Sequence, residues 1–140
     1  MVIDRYPVRL VSQTKGEAEG VFVLGEHEYG DHVSLILQYP GGEITGEASD
    51  YFEAMCQVRN QLEADSWRPV CYGSSRNVYP SGMCWGMGLG LKAYKLQPGR
   101  RAVLADLVNI FDAGPDVEPS SVDEQRQFWQ GWLHSLGINV

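Results

Sequence analysis

Apolar residues first alternate along this chain and then recur at helical spacing. Val8 and Leu10 flank Arg9, which predicts a strand over 6–12. The polar run TKGEAEG after it reads as a turn. Val21, Phe22, Val23 and Leu24 form an apolar, partly β-branched run too short for a helix, so they read as a second strand. EHEYGDH follows, with Gly30 and Asp31 at its expected tip, and Val33–Leu37 reads as the returning strand. The segment 20–38 is therefore a predicted hairpin, closed by the breaker Tyr39-Pro40-Gly41-Gly42.

The period then changes. Tyr51, Met55, Val58 and Leu62 recur on one face of a helix predicted from about 50 to 65. Phe52 and Cys56 widen the stripe, while Glu53, Gln57, Arg59, Asn60 and Glu63 fall mainly on the expected wet side. Asp50 with Glu53 offers a capping box, and Ser49 is a competing cap. Trp67–Tyr72 reads as a strand, with Pro69 pointing to an edge. Leu89–Leu96 alternates as another. Residues 101–111 fit either a helical turn or a strand, with a strand favoured from Leu107. Ser121 and Glu124 form a second capping box ahead of Val122, Phe128 or Trp129, Trp132, Leu133 and Leu136. Gly137 is placed as a left-handed terminator, with Ile138 beyond it for a Schellman ending. The order βββ-α-βββ-α predicts an α+β fold: a mostly antiparallel sheet of about five to six strands with two main helices. No repeat or linker divides the chain, so residues 1–140 are expected to form a single domain.

Charge changes the picture more than composition does. An apolar content of 44% is ordinary for a globular chain. The net charge of −7 lies wholly in the first half: residues 1–70 hold 12 acids and 5 bases, and residues 71–140 hold 6 of each. Such a field repels a phosphate backbone and favours a basic protein partner, so nucleic acid is not expected as a ligand. It also serves solubility alone. The amino terminus lacks a basic run followed by an apolar stretch, and no apolar run approaches a membrane span of about 20 residues. A cytoplasmic protein away from the membrane is the expectation. Cys56, Cys71 and Cys84 include no CxxC pair and read as small buried hydrophobes.

Catalytic motifs are weak. Gly86-Met87-Gly88-Leu89-Gly90 ahead of Lys92 lacks the spacing and hydroxyl residue of a P-loop and the GxGxxG of a dinucleotide loop. Its alternate glycines are better read as baring one face of a strand to a close neighbour. Ser81 or Cys84 as a nucleophile would need His27, His32 or His134 as base, and Pro80-Ser81-Gly82 is not a GxSxG elbow. His134 is already accounted for by the dipole at a helix end. His27, Glu28, Asp31 and His32 lack the helical HExxH context of a metal site and read as a solvated tip. No catalytic residue, metal or cofactor is expected, and the chain is read as non-enzymatic.

Two binding surfaces are candidates. The acids Glu26, Glu28, Asp31, Glu43, Glu47 and Asp50 would form a face for a basic partner, with Tyr29 or Tyr39 as a buried anchor. Alternatively Arg76, Asn77, Tyr79 and Ser81, in the aperiodic 73–86 loop, would hold a small molecule or peptide. The internal alternative is that Arg76 pairs with an acid and Asn77 satisfies the loop. The segments SSRNVYPSGMCW, GLGLKAYKL and LVNIFD, followed by a capped carboxy-terminal helix, resemble small bacterial immunity proteins of polymorphic and contact-dependent toxin systems, over roughly residues 70–136. That resemblance implies a small, acidic, α+β, non-enzymatic protein that binds one toxin domain.

Overall fold

A computed structural model describes residues 2–26, 32–80 and 88–138, and for Val2, Ile3, Glu26 and Gly88 the backbone alone. The expected hairpin tip with His27, Glu28, Tyr29 and Asp31, and the loop residues Ser81, Cys84, Trp85 and Gly86, lie outside the described residues.

Four strands, not three, precede the first helix. β1 (Val2–Ser12), β2 (Gly16–Glu26), β3 (Val33–Tyr39) and β4 (Gly42–Ala48) form a meander that leads into α1 (Tyr51–Glu63). β5 (Arg68–Val70) pairs back onto β1, giving an antiparallel sheet of order β4-β3-β2-β1-β5. β6 (Val78–Tyr79), β7 (Lys92–Lys95) and β8 (Leu107–Asn109) make a separate antiparallel sheet, and α2 (Val122–Ser135) follows them. The fold is thus α+β, with two α-helices and eight strands among the described residues.

Each departure from the sequence pattern has a local cause. Pro40 and Gly41 do not end the sheet but form the two-residue turn between β3 and β4, with Tyr39 opposite Gly42 at a φ of +127°. β4 was hidden because GEITGEA places only Ile44, Gly46 and Ala48 inward, and one of these is glycine. The β1–β2 turn is shorter than TKGEAEG, since Gly16 absorbs the left-handed step at φ +88° and Glu17–Glu19 already belong to β2. Residues 104–106 form a 3-10 turn before β8, capped by Asp106 through the Val103 N–H. Gly88 and Gly90 sit in a 3-10 turn instead of on a strand, and a Cβ on Gly90 would meet the Asp50 carboxylate at 2.8 Å. The carboxy-terminal helix follows the sequence closely. Ser121 and Glu124 form the reciprocal capping box, and the Gly137 and Ile138 amides donate to His134 and Leu133 in a Schellman ending.

The main core lies between the inner face of the five-stranded sheet and α1. Val8, Leu10, Phe22, Leu24, Leu35 and Leu37 alternate inward against Tyr51, Phe52, Met55, Val58 and Leu62. Burying each such side chain contributes about 1.5–3 kcal/mol. Phe111 joins the second sheet to this core, stacking on Tyr6 at 4.8 Å and meeting Phe22 edge-on at 5.4 Å.

Parts of both margins of the larger sheet are covered. On β4 the side-chain amide of Gln57 imitates a neighbouring strand: its Nε2 donates to the Glu47 carbonyl at 2.8 Å and its Oε1 accepts from the Glu47 N–H at 2.9 Å. Gln61 donates to the Thr45 carbonyl at 3.2 Å. α1 reaches this edge because Gly46 has no side chain; a Cβ there would run into the Ala54 carbonyl oxygen. On β1 the ladder with β5 covers Arg9–Val11. Beyond it, Asp4 takes the Arg5 N–H at 2.9 Å and Pro7 has no N–H to offer.

Gly46→Ala is therefore expected to lower stability by about 1–3 kcal/mol, as overpacking against backbone does. Urea unfolding would show a lower midpoint at unchanged m-value. An unaltered midpoint would mean that α1 does not seat on β4 through this contact.

Candidate functional site

Strand alternation sorts the acids. Glu43, Thr45 and Glu47 point away from the core and are exposed. In register beside them on β3 are Gln38, Ile36 and Ser34, and beyond these Val21 and Val23 on β2. Arg5 and Arg9 occupy the same face on β1. The outer side of the sheet is thus a row of carboxylates along β4, an apolar strip in which Val21 and Ile36 are half-buried and Val23 is only 5% exposed, and a row of guanidiniums along β1. Gln38 donates to Glu43 at 3.1 Å across the strand pair. Two further acids that sequence reasoning did not select, Glu17 and Glu19, also face outward, and Arg9 pairs with Glu17 at 2.8 Å. Their alternation with the buried Gly20 and Phe22 was the signal that could have found them.

The six selected acids are not gathered in one described cluster. Glu43 and Glu47 share the outer face. Asp50 instead caps α1, accepting from the Glu53 N–H at 2.8 Å. Glu26 ends β2 opposite Val33. Glu28 and Asp31 lie outside the described residues. Tyr39 is built into the fold: its hydroxyl donates to Asp65 at 2.9 Å, and Lys15 holds the same carboxylate at 2.7 Å. These two donors, Lys15 first, hold the Asp65 carboxyl below its ordinary range.

The second candidate group sits on a strap that runs from Cys71 to Pro80. Arg76 pairs with Glu118 at 3.0 Å and lies 4.6 Å over the ring of Phe128. Asn77 Oδ1 accepts from the Ser75 hydroxyl at 2.6 Å, and that hydroxyl accepts from the Glu118 N–H. Tyr79 stacks on Trp129 at 4.7 Å and meets Phe52 edge-on. Ser81 lies outside the described residues. Arg76 and Asn77 thus have the internal uses weighed for them.

Beneath the strap lies a feature the sequence pattern placed wrongly. Arg59 is not on the wet side of α1 but only 2% exposed. It sits on the stripe of Phe52 and Met55, where helical spacing brings it to the core. Its Nη1 donates to Gln125 Oε1 at 2.6 Å and to the Gly73 carbonyl at 3.1 Å, and its Nη2 donates to the Ser120 carbonyl at 3.0 Å. Gln125, 1% exposed, turns its amide nitrogen to the carbonyls of Gly73, Ser75 and Val78. Nε of Arg59 has no partner among the described residues. Burial pulls the Arg59 pKa down, yet an arginine so placed stays a cation at neutral pH. Gly73 is needed here, because a Cβ would press on Met55 and Ile110.

The neighbouring thiols are not poised for attack. Burial pushes Cys56 up to about 11, and burial also raises Cys71, so neither forms a thiolate near neutrality. No group of three or more His, Cys, Asp or Glu side chains suited to a metal occurs among the described residues, and no described helix is long and apolar enough to cross a membrane. A second polar cluster ties the 112–118 loop to the smaller sheet. Tyr72 donates to Asp116 at 2.7 Å, and Lys95 pairs with the other Asp116 oxygen at 2.7 Å. Lys95 and then Tyr72 keep the Asp116 carboxyl below its ordinary range.

No protein-family model matches the chain, and no curated protein matches it.

Arg59→Lys keeps a cation but loses the planar fork, and is expected to destabilise the protein by about 2–4 kcal/mol. Arg76→Ala, at a half-exposed pair, is expected to cost at most about 1 kcal/mol. Denaturant titration of both variants measures the difference; equal losses would remove Arg59 from its place at the junction.

Proposed function

We propose that the protein is a non-enzymatic cytoplasmic binding protein, an immunity protein that neutralises a basic toxin domain. The observation that carries this reading is the open outer face of the five-stranded sheet, where Glu43 and Glu47 stand in one exposed row beside an apolar strip. A carboxylate row speeds encounter with a cationic surface, while Val21 and Ile36 supply partly buried apolar area for close packing. On β4 the Gln57 amide covers the Glu47 backbone, and Pro7 interrupts the donors of β1, which favours docking on the face over strand addition. The excess of acid in the first half of the chain and the sequence resemblance support the same reading. Relative to the sequence expectation the binding face narrows to Glu43 and Glu47, since Asp50 serves α1.

The test starts with co-purification from the native host at low salt and continues with the basic protein recovered. Stopped-flow mixing with the Glu43→Lys, Glu47→Lys double variant is expected to slow association about tenfold or more and to flatten its salt dependence. Recovery of no basic partner, or an association rate untouched by the double reversal, would overturn the reading.

A further inference from the structure

We propose that a cleft on the smaller sheet, remote in sequence from the acidic row, is a binding site for a phosphate-class oxyanion. The cleft encloses about 320 Å³ and is lined by Asn77, Lys95, Gln97, Arg100, Arg101 and Asp106, among others. That volume is at the lower end of the range for small-ligand clefts. Three of these residues are cationic and one is acidic. Asp106 Oδ2 accepts from the Val103 N–H at 3.0 Å and keeps its charge, so the cations of the lining outnumber its one anion. Lys95 is balanced by Asp116 at 2.7 Å.

The two arginines remain. Among the described residues neither Arg100 nor Arg101 has an ion-pair partner, and Arg100 reaches only Gln97 Oε1 at 3.4 Å. In a chain carrying a net charge of −7, this cleft places two adjacent exposed arginines and Lys95 against the single carboxylate of Asp106. A guanidinium matches a phosphoryl group with two parallel N–H donors, and two of them suit a doubly charged oxyanion.

The backbone that presents them is fixed in advance. Gly99, at φ +80°, completes the turn from Gln97 to Arg100, and the Arg100 N–H closes it on the Gln97 carbonyl at 3.1 Å. α2 clamps this turn from behind. The Ser135 hydroxyl accepts from the Gly99 N–H at 2.7 Å, and the Trp132 indole donates to the Arg100 carbonyl at 2.8 Å. Asn77 enters from the strap, whose own carbonyl holds the Leu96 N–H at 2.7 Å. A ligand therefore meets donors on a turn that is already ordered, which lowers the entropy lost on binding.

The proposal does not depend on the partner-binding reading. Its test is an NMR titration of the full chain with inorganic phosphate, compared with sodium chloride at equal ionic strength. Saturable shifts confined to Asn77, Gln97, Arg100 and Arg101 with phosphate, and absent with chloride, are expected. An Arg100→Ala, Arg101→Ala double variant keeps the backbone contacts to Trp132 and Ser135, so its melting temperature in chloride should match the parent. Its phosphate affinity should fall about tenfold or more. Glycerol 3-phosphate is the second probe: tighter binding than phosphate assigns the site to a phosphomonoester, weaker binding to the free anion. Shifts spread over the surface, equal shifts with chloride, or an affinity unchanged in the double variant would overturn the proposal. So would a single-stranded oligonucleotide that binds there more tightly than either probe.

Discussion

A guanidinium taken out of water without a carboxylate to meet it is the constraint on which the rest of this structure turns. Arg59 leaves α1 toward the interior and is met by three neutral acceptors, Gly73, Ser120 and Gln125, drawn from three separate stretches of chain. Removing an ion from water costs several kcal/mol, and the acceptors on Nη1 and Nη2 offset it although Nε has no partner among the described residues. Gln125 then passes the same demand to Ser75 and Val78. The helix, the strap and α2 must arrive together, because any one missing leaves a buried charge or amide without its partner. The hydrogen bond of the Ser120 N–H to the Ser74 carbonyl, and of Arg76 N–H to that of Glu118, extend the same junction in backbone terms.

One helix thereby serves three neighbours. The apolar side of α1 fills the sheet's inner face, its Gln57 and Gln61 amides seat on the margin of β4, and Arg59 gathers the strap. On the outer face the side chains meet mainly one another, as Gln38 meets Glu43 and Arg9 meets Glu17. The smaller sheet has the opposite character: its cations cluster around a turn that α2 holds still. The balance of six acids and six bases in the second half of the chain thus includes the pairs Lys95 with Asp116 and Arg76 with Glu118, and conceals the local excess of cations at Arg100 and Arg101.

What was legible in the sequence was local. Ser121, Glu124 and Gly137 act within one turn of themselves, so the ends of α2 could be read from spacing. Tyr51, Met55, Val58 and Leu62 gave the face of α1 for the same reason. Arg59 was misread because its residue type argues for solvent while its acceptors lie 14, 61 and 66 positions away, beyond any window of periodicity. β4 escaped because the close approach of α1 requires a glycine where a strand pattern would show a branched side chain. Of the acids, sequence could give the sign of Glu43 and Glu47 but not the strand that turns them outward. It could not tell that Asp50 would be consumed as a helix cap, nor that the arginines near residue 100 would share a cleft with Asn77.

The manner in which Gln57 and Gln61 cover β4 has a kinetic corollary. Glutamine amides supply hydrogen bonds that a strand of another molecule would otherwise supply, but they do so only while α1 stays wound on the sheet. Transient opening of α1 would leave the Glu47 N–H and carbonyl and the Thr45 carbonyl of β4 unmet. Self-association of this protein should then follow how often that one helix lifts away, and so be set by a local opening free energy more than by the stability of the whole fold.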